Sequence, residues 1–231
     1  METDNPFIFR IGGIQHSLYH RGSEADDGVL RQIFGQQDYS LRHLRRGEEL
    51  FRLVLNAGKP LIIDAGANIG ASTSYFCLTF PRAHVVAFEP EGENFELLRK
   101  NTEGLNVDLR QSALGASDGM VKVTDPGEGT WGYRTEESQE GAVKREAMAG
   151  LVAAKMAEGY TPFLAKIDIE GAEADLFSRD TDWIDQFPLI IVELHDWLLP
   201  KQGTSRNFLR CIAARNRDFV YLGENIFSIR N

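Results

Sequence analysis

The 231-residue sequence has little cysteine and no long apolar run. Its two cysteines, Cys77 and Cys211, each lie in an apolar helical pattern, with no CxxC pair and no His and Cys spacing that suits a metal. We therefore expect buried, reduced thiols and no disulfide framework. No apolar run approaches the roughly 18 residues that a membrane-spanning helix requires, so membrane insertion is not expected.

Positive charge is also scarce. The sequence has 25 Lys and Arg against 34 Asp and Glu, which gives a net charge of −9 at pH 7. Such a chain is poorly suited to the phosphate backbone of nucleic acids, so a nucleic-acid partner is not expected. The first residues, METDNPFIFR, carry acids where a signal peptide carries basic residues. These features favour a cytoplasmic location and leave a homodimer open.

From Pro60 onward, short apolar runs alternate with segments of helical periodicity. The runs are LIID, HVVAFEP, VDLRQSAL, MVKVTD, FLAKIDIE, PLIIVELH, DFVYLGE and NIFSIRN. Strands of this kind, separated by helices, predict a mostly parallel sheet covered on both faces. The last two runs have almost no linker between them, which predicts a C-terminal antiparallel hairpin. We expect residues 60–231 to form one doubly wound, Rossmann-like α/β domain.

Residues 1–59 have a different pattern and predict a helical cap over the mouth of that sheet. VLRQIF and LRHLRRGEELFRLVLNAG have helical spacing, and Gly58 with Pro60 would end the second helix. Four basic residues in this segment are candidates to recognise an anionic substrate, although a solvated helix face is the preferred interpretation. They are Arg42, His43, Arg45 and Arg46.

The turn after the first apolar run, AGANIG, predicts a ligand site, because ligands bind outside the carboxyl ends of strands in open α/β sheets. Gly66 permits a tight turn and a close backbone approach, and Gly70 permits close packing of the following helix. The helix start offers free N–H groups to a negatively charged group. The spacing Gly66-x-x-x-Gly70 is not GxGxxG, and no GKS or GKT follows, so a Walker-type phosphate loop is excluded. A nucleotide-like ligand is expected.

Two acids indicate which nucleotide. Asp64, at the end of the first run, would repel a pyrophosphate but suits the ammonium group of a methionine moiety. Glu89 follows Gly66 by 89 − 66 = 23 residues, close to the spacing of about 20 at which an acid takes ribose hydroxyls. Together they favour S-adenosylmethionine over NAD. The alternative is that both acids simply stabilise helix starts.

Five stretches of the sequence resemble the FkbM family of S-adenosylmethionine-dependent methyltransferases. They are DAGANIG (64–70), VVAFEP (85–90), QSALG (111–115), KIDIEGAE (166–173) and IVELH (191–195). The resemblance implies a class I methyltransferase sheet of seven strands. It also implies methylation of a hydroxyl on a small molecule, such as a polyketide, a sugar or a lipid-linked glycan.

The resemblance also implies the roles of individual residues. The methionine part of the cofactor would be surrounded by Asp64, Gly66, Ala67, Asn68 and Gly70, the ribose would lie at Glu89 and Pro90, and the adenine edge at Ser112 and Ala113. Asp168 would belong to the same cofactor site. Trp131, within GTWGYR, would face the cofactor or the acceptor, or else pack the loop onto the sheet.

The chemistry is expected at the ends of the runs FLAKIDIE and PLIIVELH. Asp168 or a neutral His195 would act as the general base in a site without a metal, which is the preferred interpretation. Asp168, Glu193 and His195 would alternatively hold a divalent ion, or the acids and His195 would only cap helices and bond the backbone. The expected function is O-methylation. An NAD-linked oxidoreductase and a non-catalytic S-adenosylmethionine-binding protein are the alternatives.

Overall fold

The computed structural model describes residues 6–125, 133–138 and 142–231. The strands are β1 (Phe7–Ile11), β2 (Ile14–Leu18), β3 (Pro60–Ala65), β4 (His84–Phe88), β5 (Val107–Arg110), β6 (Ser112–Gly115), β7 (Gly119–Thr124), β8 (Arg134–Glu137), β9 (Val143–Ala147), β10 (Thr161–Ile167), β11 (Leu189–Glu193), β12 (Arg217–Leu222) and β13 (Asn225–Arg230). The α-helices are α1 (Glu24–Leu30), α2 (Gly47–Asn56), α3 (Ala71–Thr79), α4 (Gly92–Asn101), α5 (Met148–Ala157), α6 (Glu173–Leu176) and α7 (Arg206–Ala213). A π-helix spans Arg31–Gln36, and 3₁₀-helices span Leu41–His43 and Thr181–Gln186.

The central sheet has seven strands in the order β12-β13-β11-β10-β3-β4-β5. Strands β3, β4, β5, β10 and β11 pair in parallel, and β13 is antiparallel to both of its neighbours. The expected architecture is therefore confirmed, including the hairpin of β12 and β13. In the β10–β3 register Lys166 lies beside Asp64, which brings a cation and an anion together at the carboxyl edge of the sheet.

The N-terminal segment shares a hydrophobic core with one face of the sheet. Leu30, Tyr39 and Leu50 are buried in the same cluster as Ile62 of β3 and Phe163 of β10. The predicted helices are present as α1 and α2, but the segment also contains a two-stranded antiparallel sheet of β1 and β2. The sequence analysis did not predict this hairpin at residues 7–18, where the exposed side chains of Ile8 and Ile14 blur the alternation that marks a strand.

A second, four-stranded sheet has the order β6-β9-β7-β8. The sequence predicts a continuous helix from Ala142 to Gly159, whereas residues 143–147 form strand β9 and the helix α5 begins at Met148. Strand β9 pairs with β6 in parallel and with β7 in antiparallel orientation. Pairing to distant segments thus overrides the local helical pattern.

Two minor expectations concern the thiols and the basic residues. Cys77 is buried and Cys211 is half-buried, and both are free thiols. Arg46 pairs with Glu49 and with Asp218 of β12, so it links α2 to the edge of the sheet.

Within the described residues, none of the helices combines the length and the apolar character required to span a lipid bilayer.

Gly66 follows β3 in the left-handed region, with φ of 79°. A Cβ at this position would lie 1.8 Å from the carbonyl oxygen of Asp168. The atom closest to this backbone thus belongs to the end of β10, and the expected close approach is made first by the protein itself. Gly70, at φ of 88°, lies against Leu98 of α4, so it permits packing of α3 on α4 and not on the strand.

We predict that Gly66→Ala lowers the free energy of unfolding more than Gly104→Ala does. Gly104 has nearly the same φ, 78°, but a Cβ added there would meet nothing within 4 Å, so its replacement costs about 1–2 kcal/mol for the left-handed backbone alone. Gly66→Ala adds a clash with a backbone oxygen, worth about 1–3 kcal/mol more. Urea denaturation measures both; equal losses would show that the contact with Asp168 relaxes freely.

Candidate active site

The loop between β3 and α3 is fixed by backbone hydrogen bonds to the neighbouring strand. The N–H groups of Gly66 and Ala67 both donate to the carbonyl oxygen of Phe88, at 3.0 and 2.9 Å. Asn68 has φ of 50°, so the chain turns sharply before α3. The loop therefore holds one position above the carboxyl ends of β3 and β4.

Glu89 closes the same corner from β4. Its Oε2 accepts the N–H of Asn68 at 2.8 Å, and its Oε1 accepts the N–H of Glu91 at 3.0 Å. The residue is only 5% exposed. Burial raises the pKa of Glu89 to about 7, although its two backbone hydrogen bonds act in the opposite direction. The carboxyl group therefore changes its charge near neutral pH.

A cavity lies above this corner, at the carboxyl edge of the parallel strands. Seven residues predicted for the cofactor line it: Gly66, Asn68, Glu89, Pro90, Ser112, Ala113 and Asp168. The side-chain hydroxyl of Ser112 donates to Glu146 at 2.8 Å. The fold thus brings residues from four strand ends to one cavity.

Three other predicted cofactor residues, Asp64, Ala67 and Gly70, are buried and are not among those that line the cavity. Asp64 is 0% exposed, and its Oδ2 accepts the hydroxyls of Ser72 and Thr73 at 2.7 and 2.6 Å. The expectation that Asp64 contacts a ligand directly is therefore corrected. Two hydroxyls at the start of α3 bind this carboxylate and keep it below the backbone.

Lys166 completes the support of the loop. Its Nζ donates to the carbonyl oxygen of Gly66 at 2.6 Å, and lies 3.4 Å from Asp64 Oδ1 and 3.3 Å from Asp168 Oδ2. Burial lowers the pKa of Lys166, but the charges of Asp168 and Asp64 outweigh it and the pKa is raised. A charged lysine therefore joins the glycine loop to the end of β10.

His195 lies behind the cavity wall, 1% exposed. Its Nδ1 is 3.1 Å from Glu173 Oε1. Its Nε2 is 3.4 Å from Glu170 Oε2, 3.5 Å from Asp168 Oδ1 and 3.7 Å from Glu193 Oε1. We call these five side chains the acidic cluster. Of the five, Asp168, Glu170 and Glu193 line the cavity.

Burial, followed by the crowding of like charges, dominates the electrostatics of the acidic cluster. Burial and the charge of Asp168 raise the pKa of Glu170 to about 9 and that of Glu193 to about 8. Burial lowers the pKa of His195, but the bond to Glu173 and the surrounding carboxylates raise it to about 10. These surroundings do not favour the neutral imidazole base that the sequence predicted. Buried negative charge here requires a positive partner.

Some residues that line the cavity carry no motif. Val29 and Gln32 come from the N-terminal segment, Tyr133 and Thr135 from β8 and its approach, and Glu224 from the β12–β13 turn. The packing of distant segments brings them together, which no local pattern records. Trp131, predicted at the same mouth, lies outside the described residues.

Sheet order, glycine loop and the acid at the end of β4 together define a Rossmann-like enzyme of the class I methyltransferase type. The sequence profile of the methyltransferase FkbM domain matches residues 64–221. The chain belongs to the FkbM methyltransferase family, and its cofactor is S-adenosylmethionine.

Curated relatives agree with this assignment. The hexuronic acid methyltransferase AglP of Haloferax volcanii is 27% identical over 174 residues, which cover 73% of this chain and 71% of that protein. Methyltransferase 1 of Beauveria bassiana is 29% identical over 160 residues, 58% of this chain and 64% of the relative. Among solved structures, a Bacillus cereus O-methyltransferase in complex with SAH is similar, at 16% identity and a TM-score of 0.44, with 89% and 91% of the two chains covered.

We predict that Lys166→Met lowers the free energy of unfolding by about 3–5 kcal/mol, because it leaves Asp64 buried without its cation. Asp64→Asn in the same chain should recover part of this loss, since an amide oxygen still accepts the hydroxyls of Ser72 and Thr73. Lys155→Met is the control: its partners Asp108 and Glu158 are 34% and 54% exposed, so we expect a loss within about 1 kcal/mol. Urea denaturation of the three variants and the native protein forms the comparison. If the double variant is no more stable than Lys166→Met, the pair is not coupled.

Proposed function

We propose that this methyltransferase transfers its methyl group to a hydroxyl of a small, sugar-like molecule. The observation that carries the proposal is the presence of Asp168, Glu170 and Glu193 in the same cavity as Glu89. An ordinary alcohol must lose its proton as its oxygen attacks carbon, and carboxylates beside the cofactor can accept or direct that proton. A buried negative site also suits a positively charged methyl donor.

The residues at the cavity fit S-adenosylmethionine. Glu89 has two carboxylate oxygens at the cavity wall, which suits the two ribose hydroxyls. Gly66 and Asn68 would lie along the methionine part, with Pro90 beside the ribose and Ser112 and Ala113 at the adenine edge. The buried residues Asp64, Ala67 and Gly70 would hold the loop in position without contacting the cofactor.

The cofactor supplies a methyl group on a positively charged sulfur. The acceptor oxygen forms the new O–C bond while the C–S bond breaks and its electron pair stays on sulfur. This chain aligns the acceptor and provides for its proton. We assign that task to Asp168, which lines the cavity, whereas His195 lies behind the wall, 3.5 Å from Asp168 Oδ1.

The acceptor class follows from the charge of the cavity and from the relatives. A curated relative is named a hexuronic acid methyltransferase, and hexuronic acids carry both hydroxyls and a carboxylate. The acidic walls repel an anionic group next to the donor, so a hydroxyl is the favoured acceptor. A net charge of −9 further disfavours nucleic acid, in keeping with a small-molecule acceptor and the expected cytoplasmic location.

The first test is calorimetric titration with S-adenosylmethionine and, separately, with NAD, followed by transfer assays on p-nitrophenyl glucuronide and p-nitrophenyl glucoside. We expect selective binding of S-adenosylmethionine and a product one methylene heavier that survives mild alkali, as a methyl ether does. Loss of the methyl group in alkali would identify an ester and overturn the hydroxyl assignment. Absence of transfer to every hydroxylated acceptor in a broad panel would overturn the proposal.

We predict that Asp168→Asn lowers turnover by about 100-fold or more, because the amide cannot take the proton of the acceptor. Affinity for S-adenosylhomocysteine should change far less, since the change keeps the shape of the side chain. Asp180→Asn, at an exposed position away from the cavity, is the control and should retain full turnover. Single-turnover kinetics with mass-spectrometric detection measure the effect, and an Asp168→Asn enzyme of normal rate would exclude the role.

We predict that affinity for S-adenosylhomocysteine rises roughly tenfold between pH 6 and pH 8. The pKa of Glu89 is raised to about 7, so the carboxyl is mainly protonated at the lower pH and ionised at the higher one. Only the ionised group accepts both ribose hydroxyls. Calorimetry on Glu89→Gln should show weaker binding without this pH dependence, and Glu93→Gln, exposed on the adjacent helix α4, should behave like the native protein. A slope that persists in Glu89→Gln would assign it to the ligand's own amino group.

A further inference from the structure

The imidazole of His195 is held in one orientation by Glu173. Nδ1 lies 3.1 Å from Glu173 Oε1, and the same oxygen accepts the N–H of Ile169 at 3.1 Å. Both His195 and Glu173 are almost completely buried, at 1% and 0% exposed. A carboxylate that takes the Nδ1 proton fixes the ring tautomer and leaves Nε2 as the outward-facing atom.

Nε2 of His195 faces three carboxylates without forming a short contact to any of them. The distances to Glu170, Asp168 and Glu193 are 3.4, 3.5 and 3.7 Å, longer than N–H···O hydrogen bonds to carboxylates. Asp168, Glu193 and His195 each offer one ligand atom, and these atoms lie within 4.8 Å of one another. Atoms that share an ion at about 2.0–2.2 Å from each are separated by such distances.

Two further oxygens of the acidic cluster have no hydrogen-bond partner among the described residues. They are Glu170 Oε2, the atom that faces His195 Nε2, and Glu173 Oε2, and both are buried. The nearby ammonium of Lys166 is already engaged by Asp64, Asp168 and the Gly66 carbonyl. Buried carboxylates in this number are stabilised by a further cation among them.

We propose that Asp168, Glu193 and His195 bind one divalent metal ion, with Glu173 orienting the imidazole. Two carboxylates and one imidazole form a mixed oxygen and nitrogen donor set, which suits Mn²⁺ better than the strictly oxygen-seeking Mg²⁺ or Ca²⁺. The role of the ion rests on the proposed function: on the cavity side it would lower the pKa of the acceptor hydroxyl and so ease the transfer of its proton to the Asp168 carboxylate. Binding of the ion itself requires neither cofactor nor acceptor.

The test uses the full chain, stripped of metal with a chelator and then titrated with MnCl₂. Binding is measured as the loss of the free-ion signal in electron paramagnetic resonance. We expect one Mn²⁺ per chain. The dissociation constant of Mn²⁺ should be at least about tenfold lower than that of Mg²⁺, which is measured by calorimetry with MgCl₂. Glu193→Gln should weaken Mn²⁺ binding more than tenfold, and Glu173→Gln by about 10–100-fold. Glu224→Gln removes an acid that also lines the cavity but lies outside the donor set. This control should change the affinity for Mn²⁺ less than threefold.

A nitrogen coupling in the pulsed resonance spectrum of bound Mn²⁺ should be present in the native protein and absent in His195→Gln. Circular dichroism of each variant establishes that it is folded. Binding that is unaffected by Glu193→Gln, a stoichiometry well below one, or no binding at millimolar Mn²⁺ would overturn the proposal. In that case a proton on Nε2 supplies the missing positive charge.

Failure of this inference is distinguishable from failure of the proposed function. Full methyl transfer to a hydroxyl in the presence of excess EDTA would overturn the metal site and leave the proposed function standing. Mn²⁺ binding with the expected variant pattern, but no transfer to any hydroxylated acceptor, would support the metal site and overturn the proposed function.

Discussion

The buried ammonium group of Lys166 is the interaction on which the geometry of the site depends. It joins the ends of the two central strands by lying between Asp64 of β3 and Asp168 after β10, and it donates to the carbonyl oxygen of Gly66. The position of Gly66 determines where Asn68 presents its N–H to Glu89. One charged side chain thus sets the glycine loop, the acid at the next strand and the carboxylate of Asp168 at the cavity wall.

The central sheet could be predicted because each of its strands has a local signature. Runs such as LIID and PLIIVELH are apolar at consecutive positions, which only a strand buried on both faces requires. The hairpin β1–β2 and the small sheet β6-β9-β7-β8 lack that signature. Strand β9 contains VKREA, whose residues favour a helix, and only its pairing with β6 and β7 makes it a strand.

The site could be predicted as far as strand ends, but not as far as the direction of each side chain. Glu89 and Asp168 line the cavity as expected, whereas the carboxylate of Asp64 is held below the loop by two hydroxyls at the start of α3. The surroundings of His195 could not be predicted for a similar reason. Four carboxylates from three segments surround it, and a sequence shows their number but not their convergence.

The place of β13 in the sheet has a consequence for the synthesis of the chain. This strand lies between β11 and β12, so β11 has no partner on that side until residues 225–230 have left the ribosome. During this interval β11, with the sequence LIIVE, presents an apolar strand with an open hydrogen-bonding edge, the kind of surface that pairs with other chains. The nascent protein is therefore most exposed to misassembly between the emergence of β11 and that of β13, and this is the edge that a chaperone would have to shield.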